Sequence, residues 1–204
     1  MTLWAIIENN KVVETLNEEE KPSGYPASIR VMEVPSYLVE FLNNDYLLVA
    51  NTIEPPSPDY FRGQVFAALA AKRYEEQIKG VTINGVKYPT DPASMDVITK
   101  VGTLVFINRM MGKINEDSHA ESIGTVNLKV NGEFIPVSEL TMLNLLTIAN
   151  KHLQSVFAIE NWARNKVSSA VGYEQIYATY LGCKNREWSI QGNTDYKFAE
   201  LPNN

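Results

Sequence analysis

Two histidines, one cysteine and a scatter of carboxylates are the residues of this 204-residue chain whose types suit proton transfer, nucleophilic attack or metal binding. His119 lies in the run NEDSHAES, beside Asp117, Ser118, Glu121 and Ser122. Serine, histidine and aspartate together suggest acyl transfer. A triad, however, is assembled from separate parts of a fold so that each member orients the next. Neighbours in one polar loop lack that geometry, and the run reads as a solvated loop. His152 follows Lys151 in a long helical pattern, near its polar face. Neither histidine has a cysteine or carboxylate at zinc-ligand spacing. No Gly-rich phosphate cradle or EF-hand loop occurs. Asp91 and Asp96 would make a carboxylate pair, yet one of them is placed to cap a helix. Glu160 falls near the apolar side of the helix that carries His152, where a carboxylate needs a partner. Arg109, Arg164 or Tyr74 are the candidates, and a structural ion pair is favoured over a catalytic acid. Cys183 reads as a small apolar residue near a helix end. The sequence therefore assigns no catalytic residue, no cofactor and no metal ligand.

The elements that hold these residues are more legible. In GVTINGVKYPTDPAS (80–94), Val81, Ile83, Val86 and Tyr88 flank Asn84-Gly85. Asn-Gly accepts positive φ at both central positions of a tight turn, which suits a β-hairpin. Thr90 or Asp91 then caps a helix that has Pro92 just inside it. Before the hairpin, 59–79 has helical spacing in Phe61, Val65, Leu69 and Ile78, and Gly80 stops it. After it, Pro92 to Met111 is a second helix, with Gly102 inside. Val126, Leu128 and Val130 alternate before Asn131-Gly132, Phe134, Ile135 and Val137 return, and Ser138 caps a third helix over about 139–169. The two Asn-Gly pairs stand 47 positions apart (131 minus 84), either as an internal duplication or as two uses of one unit.

At the ends the pattern changes. Residues 3–7, 11–16, 29–34 and 46–53 read as strands, with a short helical piece over 37–43. Together 1–54 form a small β-rich N-terminal unit, thin for an independent core. Pro55, Pro56 and Pro58 make 55–58 a stiff linker. The helix–hairpin–helix core domain is 59–169. An aromatic-rich C-terminal segment, 170–204, holds a short helix over 174–181, ending at Gly182, and strands over 187–191 and 195–201. The fold class is α+β: three long helices with two short Asn-Gly hairpins, the N-terminal unit and a mixed tail. Trp4, Tyr177, Tyr180, Trp188, Tyr196 and Phe198 are the candidate partner interface, since Tyr and Trp are favoured at protein contacts. A satellite core is the competing reading of the tail aromatics.

Composition narrows the function classes. At 45% hydrophobic and 21% charged residues the chain is globular. A net charge of −6 argues against nucleic-acid binding and against anionic membranes. One cysteine allows no internal disulfide, and no apolar run approaches a membrane span. The N-terminus lacks the basic start and apolar run of a signal peptide. Synthesis in a cytoplasm is the expectation.

The run AAKRYEEQIKGVTINGVKYPTDPASMDVITKVG (70–102) resembles a domain of unknown function in bacteriophage tail-fibre and other tail-associated proteins. Its features there are the Arg-containing helix at Lys72-Arg73-Tyr74-Glu75, the turn and hairpin from Gly80 to Tyr88, and the Thr90-Asp91-Pro92-Ala93-Ser94 helix start. NKHLQSVFAIENWARNKVSSA (150–170) is similar to the same family's closing helix, with His152, Phe157 and Glu160 in the matching pattern. The resemblance spans roughly 65–170. The strand pair WAIIENNKVVETL (4–16) is similar to the leader on many phage tail proteins. A polar insertion at 115–124 and the aromatic tail depart from the pattern. The resemblance implies a tail-fibre or baseplate-associated virion protein, not an enzyme. It implies location in the virion tail after synthesis in the host cytoplasm, and other phage tail proteins as partners, with self-association as an alternative. An assembly chaperone absent from the finished particle is the second reading, and a hydrolase using His119 or Glu160 the third.

Overall fold

The computed structural model describes residues 2–20, 24, 26, 28–114, 125–130 and 132–188. The protein is α+β, with four α-helices and antiparallel sheets among the described residues. Its contacts divide it into two compact units: residues 1–70 with 163–186, and 71–162 with 187–204. The division falls inside a helix, between Ala70 and Ala71, and not at the prolines of 55–58. Among the described residues no helix is long and apolar enough to cross a membrane.

The first unit holds strands β1 (Leu3–Glu8), β2 (Lys11–Asn17), β3 (Arg30–Glu33), β4 (Leu47–Val49) and β5 (Thr52–Glu54) in one antiparallel sheet ordered β3-β1-β2-β4-β5. Asn9 and Asn10 turn β1 into β2 with φ of 51° and 63°, the left-handed pair that a twisted hairpin needs. Ala5, Ile6 and Ile7 are all buried although strand side chains alternate. The register shift between Ile6 and Ile7 leaves Val13 of β2 as the extra residue, while β1 pairs with β3 without a break, so Ile6 and its two neighbours point to opposite faces and both faces of β1 are covered at this point. Residues 46–53, expected as one strand, are instead a hairpin. Ala50 and Asn51 take φ of 47° and 68°, and an Ala-Asn pair carries no strong turn signal. Residues 37–43 form turns tied by Leu38 N–H to Pro35 and Phe41 N–H to Leu38, not a helix.

Helix α1 (Pro58–Gln77) starts in this unit and α3 (Glu139–Ser169) ends in it. Helix α4 (Tyr173–Lys184) is a fourth helix in the segment read as a mixed tail. It runs past Gly182, because Ile176, Tyr180 and Cys183 keep its inward stripe going. The thin β unit gains its core from these helices. Phe41 meets Phe61 of α1 edge-on at 5.4 Å and Tyr180 of α4 at 5.3 Å.

The second unit is a hairpin and a helix, used twice. Strands β6 (Val81–Ile83) and β7 (Val86–Tyr88) precede α2 (Pro92–Ile114); β8 (Thr125–Val130) and β9 (Glu133–Ser138) precede α3. The offset of 47 (131 minus 84) holds through the burial pattern. Val81 and Leu128, Ile83 and Val130, Met95 and Met142, Ile98 and Leu145, Gly102 and Ala149, Val105 and His152 are equivalent and buried. The caps match as well. Asp91 Oδ1 accepts from Ala93 N–H and Ser94 N–H, and Ser138 Oγ accepts from Thr141 N–H. In both, the hydroxyl three residues on touches the capping side chain. Pro136 stands opposite Asn127. Counting from the turn, that is a non-hydrogen-bonded pair, so its missing N–H costs the ladder nothing.

Candidate functional site

The densest polar cluster lies where α1 ends. The last carbonyls of a helix have no partner inside it. Here His152 reaches back from α3: its Nε2 lies 3.1 Å from the Glu76 carbonyl and 3.3 Å from that of Gln77. Carbonyls only accept, so Nε2 carries the proton and donates. The Thr90 hydroxyl donates to the Gln77 carbonyl and accepts from Gly80 N–H at 3.1 Å. Gly80 itself takes φ +84°, the left-handed stop of a helix end. A Cβ there would sit 2.4 Å from the Tyr88 carbonyl oxygen, which explains why only glycine fits.

Charged side chains surround the cluster. Arg73 Nε lies 2.7 Å from Glu160 Oε2, its Nη1 donates to Gln77 Oε1 at 2.6 Å, and its guanidinium covers the Phe157 ring at 4.5 Å. Arg73 is thus a partner of Glu160, a residue outside the three candidates. Glu76 accepts from Lys72 and Lys79, each at 2.6 Å. Burial raises its carboxyl, but the two ammonium groups outweigh burial and leave it below the usual carboxylate range. His152 is 1% exposed, which corrects its expected place near the polar face. The patterning signal was there: 142, 145, 149, 152 and 156 form one stripe, and His152 is on it.

As chemistry, this arrangement is a helix terminus secured by side chains. His152 and Glu160 lie eight positions apart on one helix (160 minus 152), on the order of 12 Å along the axis, so they form no proton-sharing pair. Among the described residues no three His, Cys, Asp or Glu side chains converge as a metal site would require.

The expected interface residues fare differently. Tyr180 and Trp188 are each 1% exposed and are core, not contact surface. Burial and the Glu40 carboxylate push the Tyr180 hydroxyl up to about 12, and that hydroxyl donates to Glu40 Oε1 at 2.6 Å. Tyr177 is half-buried beside Phe41 and Tyr180. Trp4 is half-buried, its Nε1 donating to Glu18 at 2.6 Å. Tyr180 and Trp188 fit the satellite-core reading of the tail aromatics, since a large aromatic that suits an interface suits an interior equally. Of the turn and cap residues, Asn84 and Gly85 take φ of 50° and 79°, and Gly132 takes 92°. Asp91, not Thr90, is the cap of α2, and Thr90 is spent on α1. Tyr196, Phe198, Asn131, His119, the insertion at 115–124, the strand expected over 195–201 and all of the strand expected over 187–191 except Glu187 and Trp188 lie outside the described residues.

The surface that sequence reasoning missed is on α2. Val97, Leu104, Phe106, Ile107, Met110 and Met111 are each between 44% and 54% exposed. Three of the six equivalents on α3, Leu153, Phe157 and Ala158, are apolar and three are polar. Asn144, Lys151 and Gln154 are exposed where α2 has Val97, Leu104 and Ile107. The hairpin-helix unit therefore folds without apolar residues there. Val97 also borders a groove of about 230 Å³ shared with Tyr88, Pro89, Ile98, Leu128 and Val130. The apolar count of α2 was visible in sequence, but nothing in it says which side the rest of the unit covers.

No family model, no curated protein and no solved structure matches this chain.

Proposed function

We propose that the protein is a structural component of a bacteriophage tail, associated with the tail fibre or baseplate, that works by protein–protein assembly and not by catalysis. The apolar stripe on α2 carries the assembly part of this reading. Val97, Leu104, Ile107 and Met111 share one exposed face of α2, and large exposed apolar patches mark contact surfaces. The tail setting rests on the residues of 70–102 and 150–170 that resemble tail-associated domains. The polar cluster at the end of α1 supports it in a second way: its side chains are engaged in holding a helix end, as a rigid framework for partners requires.

Quantitative mass spectrometry of purified particles tests the reading. The protein is expected at a fixed ratio to the fibre or baseplate subunits. Its absence from particles overturns the proposal. If absence is joined by rescue of fibre solubility on co-expression, the role passes to an assembly chaperone.

A further inference from the structure

We infer that Asn84 is a site of spontaneous modification: attack by the Gly85 backbone nitrogen converts its side-chain amide to isoaspartate or aspartate, and opening of the β6–β7 hairpin gates the reaction. Asparagine is a chemically labile residue, and its neighbour decides how labile. Among the described residues Asn84 alone stands before a glycine, so no side chain shields the attacking nitrogen. Asn84 and Gly85 are both exposed, and a Cβ at Gly85 would meet nothing within 4 Å. Asn43 donates to the Tyr60 hydroxyl and accepts from Asp45 N–H, and Asn51 accepts from Arg30. Among the described residues no hydrogen bond engages the Asn84 amide in that way. Ile83 pairs with Val86, which leaves the Gly85 N–H in the loop and outside the ladder.

The chemistry uses the chain and water alone. The Gly85 nitrogen forms a bond to Asn84 Cγ, and the side-chain nitrogen leaves as ammonia with the Gly85 proton. Water opens the five-membered imide at either carbonyl. Opening at Cγ gives aspartate. Opening at the main-chain carbonyl gives isoaspartate, whose backbone runs through Cβ and Cγ and is one atom longer. Either product carries a new negative charge.

The turn is the gate. With φ of 50° and 79° the pair makes the tight turn of a two-residue hairpin, and ψ in that left-handed region is about +30 to +60°. Such a ψ points the Gly85 nitrogen away from Cβ, so the ring closes only when the turn opens. β6 and β7 share three residue pairs, and no third strand joins them among the described residues, so opening is a local event. Isoaspartate does not fit back. Its extra backbone atom displaces Val86 and Tyr88 against Ile83 and Val81, and Val81, Ile83 and Tyr88 are core residues.

Incubation of the full chain at pH 8 and 37 °C, then trypsin and mass spectrometry, is the test. Cleavage after Lys79 and Lys87 isolates GVTINGVK, so Asn84 is read apart from the Asn131-Gly132 pair. The free peptide, and the chain unfolded in urea, give the ungated rate. Native conversion is expected about 10- to 100-fold slower than both, with isoaspartate among the products. Thr82→Gly, at an exposed position of β6, weakens the hairpin; it is expected to speed native conversion and to leave the rate in urea unchanged. Asn84 still intact when a 100-fold slowing would have converted half of it overturns the inference. So does a native rate equal to that of the free peptide, or a Thr82→Gly rate equal to that of the wild type.

Discussion

The hairpin-helix unit of residues 81–114 and the one of residues 125–169 share turn chemistry, cap geometry and six buried positions in register. They differ in what their helices show beyond that shared core. On α3, His152 and Glu160 turn to the end of α1, and Asn144, Lys151 and Gln154 are exposed. On α2, the residue equivalent to His152 is Val105, and Val97, Leu104 and Ile107 are exposed at the matching positions. One backbone plan thus supports two surfaces, one engaged within the chain and one open. The common residues specify the unit, and the residues that differ specify its neighbours.

The largest expected effect comes from a position where the two units cannot be interchanged. Gly80 corresponds to Asn127 (127 minus 47), yet Gly80→Ala would place a Cβ against the Tyr88 carbonyl at positive φ. It should lose about 3 kcal/mol of stability in urea unfolding. An unchanged midpoint would mean that the end of α1 tolerates another conformation. Next is His152→Val, which gives α3 the residue found on α2. It removes the donor to the Glu76 and Gln77 carbonyls, and the expected loss is about 2 kcal/mol. Hydrogen exchange should localise the change to the last turn of α1.

The caps separate the units by pH. Asp91→Ala and Ser138→Ala should each cost about 1 kcal/mol. Bonds from the Ser94 hydroxyl and from backbone N–H groups hold the Asp91 carboxyl below its ordinary value of 3.8. A lowered carboxyl contributes stability that is full above 3.8 and is lost as pH falls through the lower folded value. Hydrogen exchange at the start of α2 should therefore accelerate in that acidic window, while the start of α3, capped by a hydroxyl, does not respond through its cap. Equal acid response at both starts would break the distinction.

The smallest effect on folding is expected from transplanting the polar face. Val97→Asn, Leu104→Lys and Ile107→Gln together copy α3 onto α2 at exposed sites. Thermal unfolding compared at equal monomer content should change by less than about 0.5 kcal/mol per site. A large loss would mean that the stripe is core to this chain.

Much of the second unit was legible because its signals are local. Asn84-Gly85 fixes a turn by its own φ preferences, and Pro92 and Ser138 mark helix starts that no distant contact has to arrange. The limits of α3 follow from the three-and-four spacing between Met142 and Val156. The hairpin at Ala50-Asn51 was not legible, since Ala50 has no preference for the positive φ that it takes there and only Asn51 suits the turn by type. Nor was the pairing of Glu160 with Arg73: the two lie 87 positions apart (160 minus 73), and periodicity carries no information across that separation.

By itself the sequence determined that this chain is α+β, where its long helices run and that one hairpin-helix plan occurs twice, because propensity and periodicity act over a few residues. Only the tertiary structure decided which aromatics are interior, that His152 secures α1, and that Val97, Leu104, Ile107 and Met111 of α2 are about half exposed. Burial is a property of what lies opposite a side chain, and for Tyr180, His152 and Leu104 alike the answer comes from other parts of the chain.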